Sequence, residues 1–207
     1  MSVGGRLFAR FYDCAMSGTE AAGLGQRRKE LLAGATGDVL EIGAGTGANL
    51  QFYPDAVRTL TVTEPERPMV RLLQRRLDDL HPGVRLLRAP AEDLPFLDDT
   101  FDTVVSTLTL CTVSDQPRAL RELARVLRPG GQLLFIEHVR ADDAGLARWQ
   151  DRLNGLNRVL AHGCNCNRAT LASLRSGGFA IRQVEHGTLE KAPPFVRPLV
   201  VGVANVA

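Results

Sequence analysis

The apolar residues of this chain fall into short runs that alternate with longer segments of helical period. The short runs have the length of strands and are rich in valine, leucine and isoleucine. Alternation of this kind is typical of βα units arranged around a parallel sheet. The predicted strands, which fit one open sheet, are residues 38–42, 60–64, 84–88, 103–107, 133–138, 179–186 and 199–205.

Two of the helical segments carry a clear apolar face. Residues 69–80 place Val70, Leu73 and Leu77 on one side of a helix, and residues 117–127 repeat that spacing. We expect both helices to cover the sheet. Residues 128–131, Arg-Pro-Gly-Gly, are predicted to end the second helix and turn the chain into the next strand, because proline cannot continue a helix.

Composition narrows the class of protein. The chain has 207 residues, 44% of them hydrophobic and 23% charged, which fits one globular domain. A formal charge of +2 lacks the concentrated basic stripe of nucleic-acid binding proteins, so nucleic acid is not an expected partner. No apolar run approaches the roughly twenty residues of a membrane span, and the N-terminus lacks a signal-peptide pattern. The expected compartment is the cytoplasm, and the four cysteines are expected to be reduced thiols.

The most informative motif is residues 39–47, an apolar strand running into a glycine-rich turn that is predicted to open a helix. Gly43, Gly45 and Ala48 also satisfy the G-x-G-x-x-G/A fingerprint, so the turn alone does not separate a dehydrogenase from a methyltransferase. Glu41 separates them better, because a carboxylate accepts from an α-ammonium group and repels a pyrophosphate. The amino-acid end of S-adenosylmethionine (SAM) carries such an ammonium group. The alternative is a solvated glutamate beside an ordinary βα turn.

A second acidic residue follows at the spacing of a ribose ligand. Glu64 ends the second predicted strand twenty-one residues after Gly43, where its carboxylate can accept from both ribose hydroxyls. This placement suits NAD and SAM equally. Met69 follows where its thioether would pack on an adenine face, although a methionine in a first helical turn is more often part of the core.

Taken together, the motifs identify a family by resemblance. The segments EIGAGTG, AEDLPF, FDTVVS and LRPGG, in this order and with Glu64 at the second strand end, resemble the class I SAM-dependent methyltransferases. More narrowly, GTGANLQFYP, STLTLCTV, FIEHV, HGCNCNRATL and RPLVVGVA resemble the methyltransferase-like family that includes alkyl thiol S-methyltransferases. That likeness runs from about Phe8 to the C-terminus. It implies a Rossmann-like, doubly wound α/β fold with a mostly parallel seven-stranded sheet, an antiparallel last strand and an N-terminal helical lid.

The resemblance also implies a division of the chain and a set of cofactor residues. Residues 1–36 would form the lid, 37–138 the cofactor-binding core, 139–178 an insert that covers the substrate, and 179–207 the C-terminal strands. Glu41 and the glycine turn would hold the methionine part of SAM, Glu64 the ribose, and Ala91 with Glu92 the adenine edge. The complete set is Glu41, Gly43, Ala44, Gly45, Gly47, Asn49, Glu64, Pro65, Met69, Ala91, Glu92 and Thr107.

Two departures from the family pattern matter. Many relatives have an acid just before Ala91, where this chain has Pro90, so adenine recognition is expected to rest on backbone groups and Glu92. Animal members carry an apolar N-terminal anchor that is absent from this sequence, so stable membrane insertion is not expected.

Catalysis needs little from the protein, since methyl transfer from SAM, which leaves S-adenosylhomocysteine, is an in-line displacement governed by orientation. His138, at the end of the fifth strand, is the candidate general base, with a hydrogen-bonded structural histidine as the alternative. Tyr12 would close over the methionine part or simply anchor its helix. The acceptor, in a cleft between the lid, Cys111, His138 and the insert around Trp149, is expected to be a small apolar thiol. A phenol, quinone, amine or lipid head group remains the alternative.

Other readings of the chemistry carry less weight. His162, Cys164 and Cys166 have no complementary ligand pair elsewhere, so no metal is expected. Cys111 is read as an apolar wall residue, with a reactive thiol as the alternative. A dehydrogenase would need a hydride-transfer set that the sequence does not show, and a non-catalytic SAM-binding protein is a remote alternative. The oligomeric state stays open.

Overall fold

The computed structural model describes residues 3–206, with side chains from residue 11 onward. Seven strands form one sheet in the order β3-β2-β1-β4-β5-β7-β6. Strands β1 to β5 pair in parallel, and β7 runs antiparallel to both β5 and β6. The predicted sheet with its antiparallel last strand is confirmed. The strands are β1 Gly37–Ile42, β2 Val57–Thr63, β3 Arg85–Leu87, β4 Phe101–Thr107, β5 Leu127–His138, β6 Phe179–Thr188 and β7 Pro198–Val206.

Six α-helices surround the sheet. The N-terminal helices α1 and α2 are joined by a short π-helical segment, Glu20–Leu24, with a kink at Gly23. The predicted helical N-terminus is therefore present. The helices are α1 Val3–Thr19, α2 Gly25–Leu32, α3 Arg67–Leu80, α4 Gln116–Val126, α5 Ala144–Leu160 and α6 Thr170–Ser176.

The core lies on both faces of the sheet, as a doubly wound fold requires. Leu40 of β1 points to the face covered by α4, with Leu120 and Leu123, whereas its neighbour Val39 points to the face covered by α2, with Leu32. Successive residues of a strand point to opposite faces, so one apolar run fills two core layers. The helices pack on both faces of the sheet. This packing fixes the position of the edge that the ends of the strands form.

Helix α3 forms a third, smaller packing region over β2. Leu73 and Leu77 pack on Val62, as the helical spacing predicts. The predicted third member of that face was Val70, but Val70 is only partly buried and Met69 is buried instead. Met69 therefore faces inward from the first turn of α3.

The predicted end of the second helix is confirmed, but the predicted turn at residues 128–131 is wrong. Helix α4 ends at Val126 and β5 begins at once, with residues 128–131 forming a bulge inside the strand. Phe101 pairs with Leu127 and Thr103 with Gln132, so four residues of β5 oppose a single residue of β4. Arg128 holds the bulge in place through an ion pair with Asp102 at 2.7 Å. The Pro-Gly-Gly stretch stays within the strand because a bulge tolerates residues that a regular ladder does not.

The predicted helix after β1 is also wrong. Residues 44–49 form a series of turns, followed by a single 3-10 turn at Leu50–Phe52. Gly45 and Gly47 have φ of +58° and +87°, values outside a right-handed helix. No α-helix N-terminus therefore faces this turn, which removes the feature that binds a pyrophosphate in dinucleotide-binding folds.

Among residues 3–206, each helix is too short or too polar to cross a membrane. A cytoplasmic location stays a prediction.

Candidate active site

A cavity of about 780 Å³ opens at the carboxyl ends of the parallel strands. This is where ligands bind in open α/β sheets, because loops from several strands meet there. Nine of the predicted residues lie on its wall: Tyr12, Gly43, Gly45, Glu64, Pro65, Met69, Ala91, Glu92 and His138. Five others lie behind the wall: Glu41, Ala44, Gly47, Asn49 and Thr107. The structure therefore brings most of the predicted site together.

The two central glycines of the turn have different surroundings. A Cβ placed on Gly45 would meet nothing within 4 Å, so this residue presents bare backbone to open space on the cavity wall. A Cβ on Gly47 would lie 2.7 Å from Leu50 and 2.8 Å from Leu73. Gly47 thus allows the turn to pack against the core, whereas Gly45 leaves room for a ligand to approach the backbone.

Glu64 connects the end of β2 to the glycine turn. Its Oε2 accepts from the backbone N–H of Gly45 at 2.9 Å, and its Oε1 accepts from the N–H of Glu66 at 2.8 Å. Burial raises the pKa of Glu64, although both backbone donors favour the ionised form. The carboxyl group is therefore fixed at the cavity wall, with its position set by backbone donors on both sides.

Glu92 fixes the neighbouring loop. Its Oε1 accepts from the backbone N–H groups of Ser114 at 2.7 Å and Asp115 at 3.2 Å. The loop after β3 is thus joined to the loop after β4, and Ala91 and Pro90 lie between them on the wall. Met69 is both buried and on the wall, so it fits the core interpretation and the cofactor interpretation alike.

Glu41 belongs to a buried polar network behind the turn. Its carboxylate accepts from Asn49 Nδ2 at 2.9 Å and from the Tyr53 hydroxyl at 2.8 Å. Arg28 donates to Asn49 Oδ1 at 2.8 Å and to Thr107 Oγ1 at 2.9 Å. Burial raises the pKa of Glu41. The network holds the turn against β4, and direct contact of Glu41 with a ligand stays a prediction.

Neither Arg28 nor Tyr53 was predicted from the sequence as a residue of the site. Arg28 stands among ordinary charged residues of a helix, and only the fold shows that it is 4% exposed and that it pairs with Glu20 at 3.1 Å. No sequence signal distinguishes Arg28 from its neighbours.

Glu137 is a further residue that the analysis did not single out. It is fully buried in β5, and its Oε1 accepts from the Ser106 hydroxyl at 2.7 Å and the Leu110 N–H at 2.9 Å. Its Oε2 accepts from the Cys111 N–H at 3.1 Å. One carboxylate thus sets the conformation of the loop after β4, which lines the cavity. An acid at the end of an otherwise apolar strand was the available signal.

His138 and Tyr12 lie on the wall of the cavity opposite the loops after β2 and β3. Burial lowers the pKa of His138 to about 4, while hydrogen bonds to the backbone at Pro198 and Val196 oppose that shift. Its Nδ1 has no hydrogen-bond partner among the described residues. Burial raises the pKa of Tyr12 to about 12. Both side chains are therefore uncharged near neutral pH.

Two cysteines meet on the same wall. The sulfur atoms of Cys111 and Cys164 lie 3.8 Å apart, and both residues are buried. This contact and burial raise the pKa of Cys111 well above that of an ordinary thiol. Cys111 therefore fits the predicted wall better than a reactive thiolate. Among the described residues, no group of three or more His, Cys, Asp and Glu side chains has the arrangement of a metal site.

The insert, residues 139–178, and the connection between β6 and β7 complete the wall of the cavity that carries His138 and Tyr12. Leu156, Asn157 and Leu160 of α5 line the cavity, together with residues 161–164. Trp149, which was expected in the cleft, is 57% exposed and lies off the wall. Residues of the connection between β6 and β7, not predicted from the sequence, complete the wall: Leu189, Lys191, Ala192, Pro193, Phe195 and Val196.

This architecture defines a class of protein. A sheet in this order with an antiparallel β7, a glycine turn after β1 and a buried acid after β2 is the arrangement of the class I SAM-dependent methyltransferases. The comparisons agree, since residues 40–135 match the family model described as a methyltransferase domain. The YcgJ protein of Bacillus subtilis shares the fold, with a TM-score of 0.70 at 19% identity over 89% of this chain and 97% of that one.

Two curated relatives narrow the family. Human thiol S-methyltransferase TMT1A is 36% identical over 80% of this chain and 69% of its own length. Human thiol S-methyltransferase TMT1B is 38% identical over 83% of this chain and 70% of its own length. The chain belongs to the SAM-dependent methyltransferase family that includes these thiol S-methyltransferases. It is an enzyme whose cofactor is SAM and whose acceptor is a small molecule.

Proposed function

We propose that this enzyme methylates the sulfur atom of a small, apolar thiol. The two relatives described above are thiol S-methyltransferases, and their similarity extends over most of the chain. The composition of the cavity supports the same acceptor class. Apolar residues of α1, α5 and the loop after β4 surround the space opposite the glycine turn, among them Met16, Leu108, Val113, Leu156 and Leu160.

The observation that carries the proposal is the distribution of charge over the two walls. All three carboxylates on the cavity wall, Glu64, Glu66 and Glu92, lie on the loops after β2 and β3. The opposite wall holds buried His138 and partly buried Tyr12, which are uncharged near neutral pH, together with Lys191 and His162, and no carboxylate among the described residues. An acceptor bound there finds no carboxylate to take its proton. A thiol suits such a wall, because its thiolate is a strong nucleophile that reacts even when only a small fraction is ionised; the cysteine thiol, for comparison, ionises in water near pH 8.5.

The residues on the first wall fit the cofactor. SAM supplies a methyl group on a sulfonium centre, which is already activated for attack by a nucleophile. In our proposal the open backbone at Gly45 and the fixed carboxyl of Glu64 hold its methionine and ribose parts, while Ala91, Glu92 and Met69 surround the adenine. Glu41 acts from behind the wall by keeping Asn49 and the glycine turn in place.

The residues of the second wall position the acceptor. A thiolate is a strong nucleophile, so holding its sulfur in line with the methyl group supplies most of the acceleration. His138 contributes a neutral imidazole, whose low pKa makes it a poor store for the proton of a thiol. The buried apolar residues Val113, Leu189 and Val196 on this wall limit hydration of the ionised sulfur.

The experiment is an acceptor panel. Purified enzyme and SAM are incubated with matched thiols, phenols and amines of similar size, and both S-adenosylhomocysteine and the methylated product are measured. We expect turnover with apolar thiols and little with the phenols and amines. Robust methylation of a phenol or amine without thiol turnover would contradict the sulfur acceptor and leave the methyltransferase class intact. SAM binding without any turnover would favour a binding protein.

A further inference from the structure

Helix α5 has its polar and apolar sides reversed with respect to an ordinary surface helix. Its inward side carries amides: buried Gln150 donates to the carbonyl oxygens of Val139 and Cys166, and buried Asn157 donates to the carbonyl of Cys164. These hydrogen bonds, together with buried Ala147 and partly buried Leu146 and Leu153, hold α5 on the protein. Several other apolar side chains of α5 are not buried in the protein.

The outward side of α5 carries those apolar residues. Trp149, Leu156 and Leu160 are seven and four residues apart, so they form one stripe along the helix. They are 57%, 58% and 68% exposed, and Val159 beside them is 76% exposed. A contiguous apolar surface of this kind on a soluble helix marks an interaction site. Leu156 and Leu160 also line the cavity, so the stripe reaches the mouth of the candidate active site.

Unpaired positive charge borders the stripe. Arg148 and Arg152 are exposed, and neither forms an ion pair with any described residue. The only acid of α5, Asp151, is held by Arg140 on another side of the helix. A helix with tryptophan and leucines on one face and free arginines beside them has the composition of an interfacial helix that lies on an anionic bilayer.

We infer that α5 is a reversible docking surface for anionic lipid bilayers, with the stripe Trp149, Leu156 and Leu160 entering the interface and Arg148 and Arg152 contacting lipid head groups. A second copy of the chain is a poorer occupant, because packing two stripes together would bring the arginines of both copies close without an acid between them. Docking brings the cavity mouth to the bilayer surface, where apolar molecules concentrate. The inference does not depend on the identity of the acceptor atom.

The chain contains a built-in probe, because Trp149 is its only tryptophan. The first experiment titrates the protein with vesicles of phosphatidylcholine, with and without phosphatidylglycerol. With anionic vesicles, we expect the emission of Trp149 to move to shorter wavelength and to be quenched by lipids brominated in the acyl chain. Added salt is expected to weaken the effect, since screening acts on the arginine contacts.

Variants test the two parts of the surface by vesicle flotation. The double variant Arg148→Gln/Arg152→Gln is expected to lower partitioning into anionic vesicles by about 20-fold, since each basic residue near such a surface contributes roughly fivefold. The matched control is Arg71→Gln/Arg75→Gln on α3, which removes two exposed arginines that form no ion pair with any described residue. Trp149→Ser is expected to weaken flotation as well, and Leu97→Ser, at an 84% exposed leucine in a loop, is its control.

Calorimetric SAM binding serves as the folding check, because none of these four α5 and α3 arginines lies on the cavity wall. Absence of vesicle binding in a protein that binds SAM normally would overturn the inference. Equal losses in the α5 and α3 arginine variants would also overturn it, since the charge effect would then be unspecific. Concentration-dependent dimers in sedimentation, dissociated by Trp149→Ser, without vesicle binding would assign the stripe to a second copy.

Discussion

The wall of the cavity that we propose for SAM, with Gly45, Glu64 and Glu92 (the cofactor wall), and the wall that we propose for the thiol, with His138 and Tyr12 (the acceptor wall), differ in the charge of their side chains. On the cofactor wall, carboxylates are held by backbone N–H donors, as Glu64 is by Gly45 and Glu66. On the acceptor wall, buried His138 and partly buried Tyr12 are uncharged near neutral pH, and most of the other lining residues apart from Lys191 and His162 are apolar. Fixed polar groups select one ligand by geometry, whereas an apolar wall accepts many ligands of suitable size. If the two walls bind cofactor and acceptor as proposed, we expect specificity for the cofactor and tolerance of different acceptors to be separable by mutation.

The largest expected effect is at the glycine turn. Gly45→Val should abolish calorimetric SAM binding, because the isopropyl group would fill the open space that the backbone offers at the cavity. Gly130→Val is the matched control, since Gly130 also has a positive φ and open space around it but lies in the β5 bulge. Both variants place a β-branched residue at a positive φ. Retained SAM binding in Gly45→Val, or its loss in both variants, would contradict the assignment of the turn.

The next effect is at Glu64. Replacement by alanine is expected to weaken SAM binding by roughly 1.5–3 kcal/mol, the contribution of hydrogen bonds to a charged group. Glu30→Ala is the control, because Glu30 is an exposed glutamate on α2 that does not line the cavity. Calorimetry should show little change in the control. Equal affinities for the wild type and a folded Glu64→Ala variant would remove Glu64 from the cofactor site.

A comparable loss, in stability rather than in affinity, is expected at Glu137. Glu137→Gln replaces one of two acceptor oxygens with a donor, so buried N–H groups of the loop after β4 lose their partner. The free energy of unfolding should fall by about 1–3 kcal/mol, measured by denaturant titration. Glu185→Gln, which removes an exposed ion pair with Arg27, should change it by less than about 1 kcal/mol. A destabilisation as small as that of the control would show that the loop does not depend on Glu137.

The smallest effect is expected at Cys111. Because the residue acts as an apolar wall, Cys111→Ala should change thiol turnover by no more than about threefold. Steady-state kinetics at saturating SAM would measure it, with calorimetric SAM binding as the folding control. A loss of turnover greater than roughly 100-fold in a variant that still binds SAM would identify a reactive thiol.

The same two walls explain how far the sequence could predict the site. The cofactor wall comes from strand ends and the short loops after them, so Gly45, Glu64 and Glu92 were identifiable from local motifs. The acceptor wall joins residues from α1, β4, α5 and the connection between β6 and β7, and no local spacing brings Met16 near Val196. Trp149 was misplaced for this reason, because helical period alone does not say which side of α5 faces inward.

The fold, like the site, was predictable where a local sequence pattern was strong. Alternating apolar runs predicted all seven strands, since burial on both faces leaves a strong pattern. Two predictions at glycine and proline were wrong, the helix at residues 44–49 and the turn at residues 128–131. These residue types permit a turn, a bulge or a helix end with equal ease. The buried charge of Arg28 had no signal in the sequence, since its partners Asn49 and Thr107 are brought near it only by the sheet.

The most direct test of the account is a pH–rate profile with thiols of graded pKa, for the wild type and for His138→Ala, with a phenol as control. If the acceptor wall only positions a thiolate, kcat/KM should rise with pH up to the pKa of each thiol. The inflection should then move with the thiol, and His138→Ala should retain most of its activity with acidic thiols. An inflection at one fixed pH for every thiol, lost in His138→Ala together with the turnover of acidic thiols, would contradict it by showing that an enzyme base removes the proton.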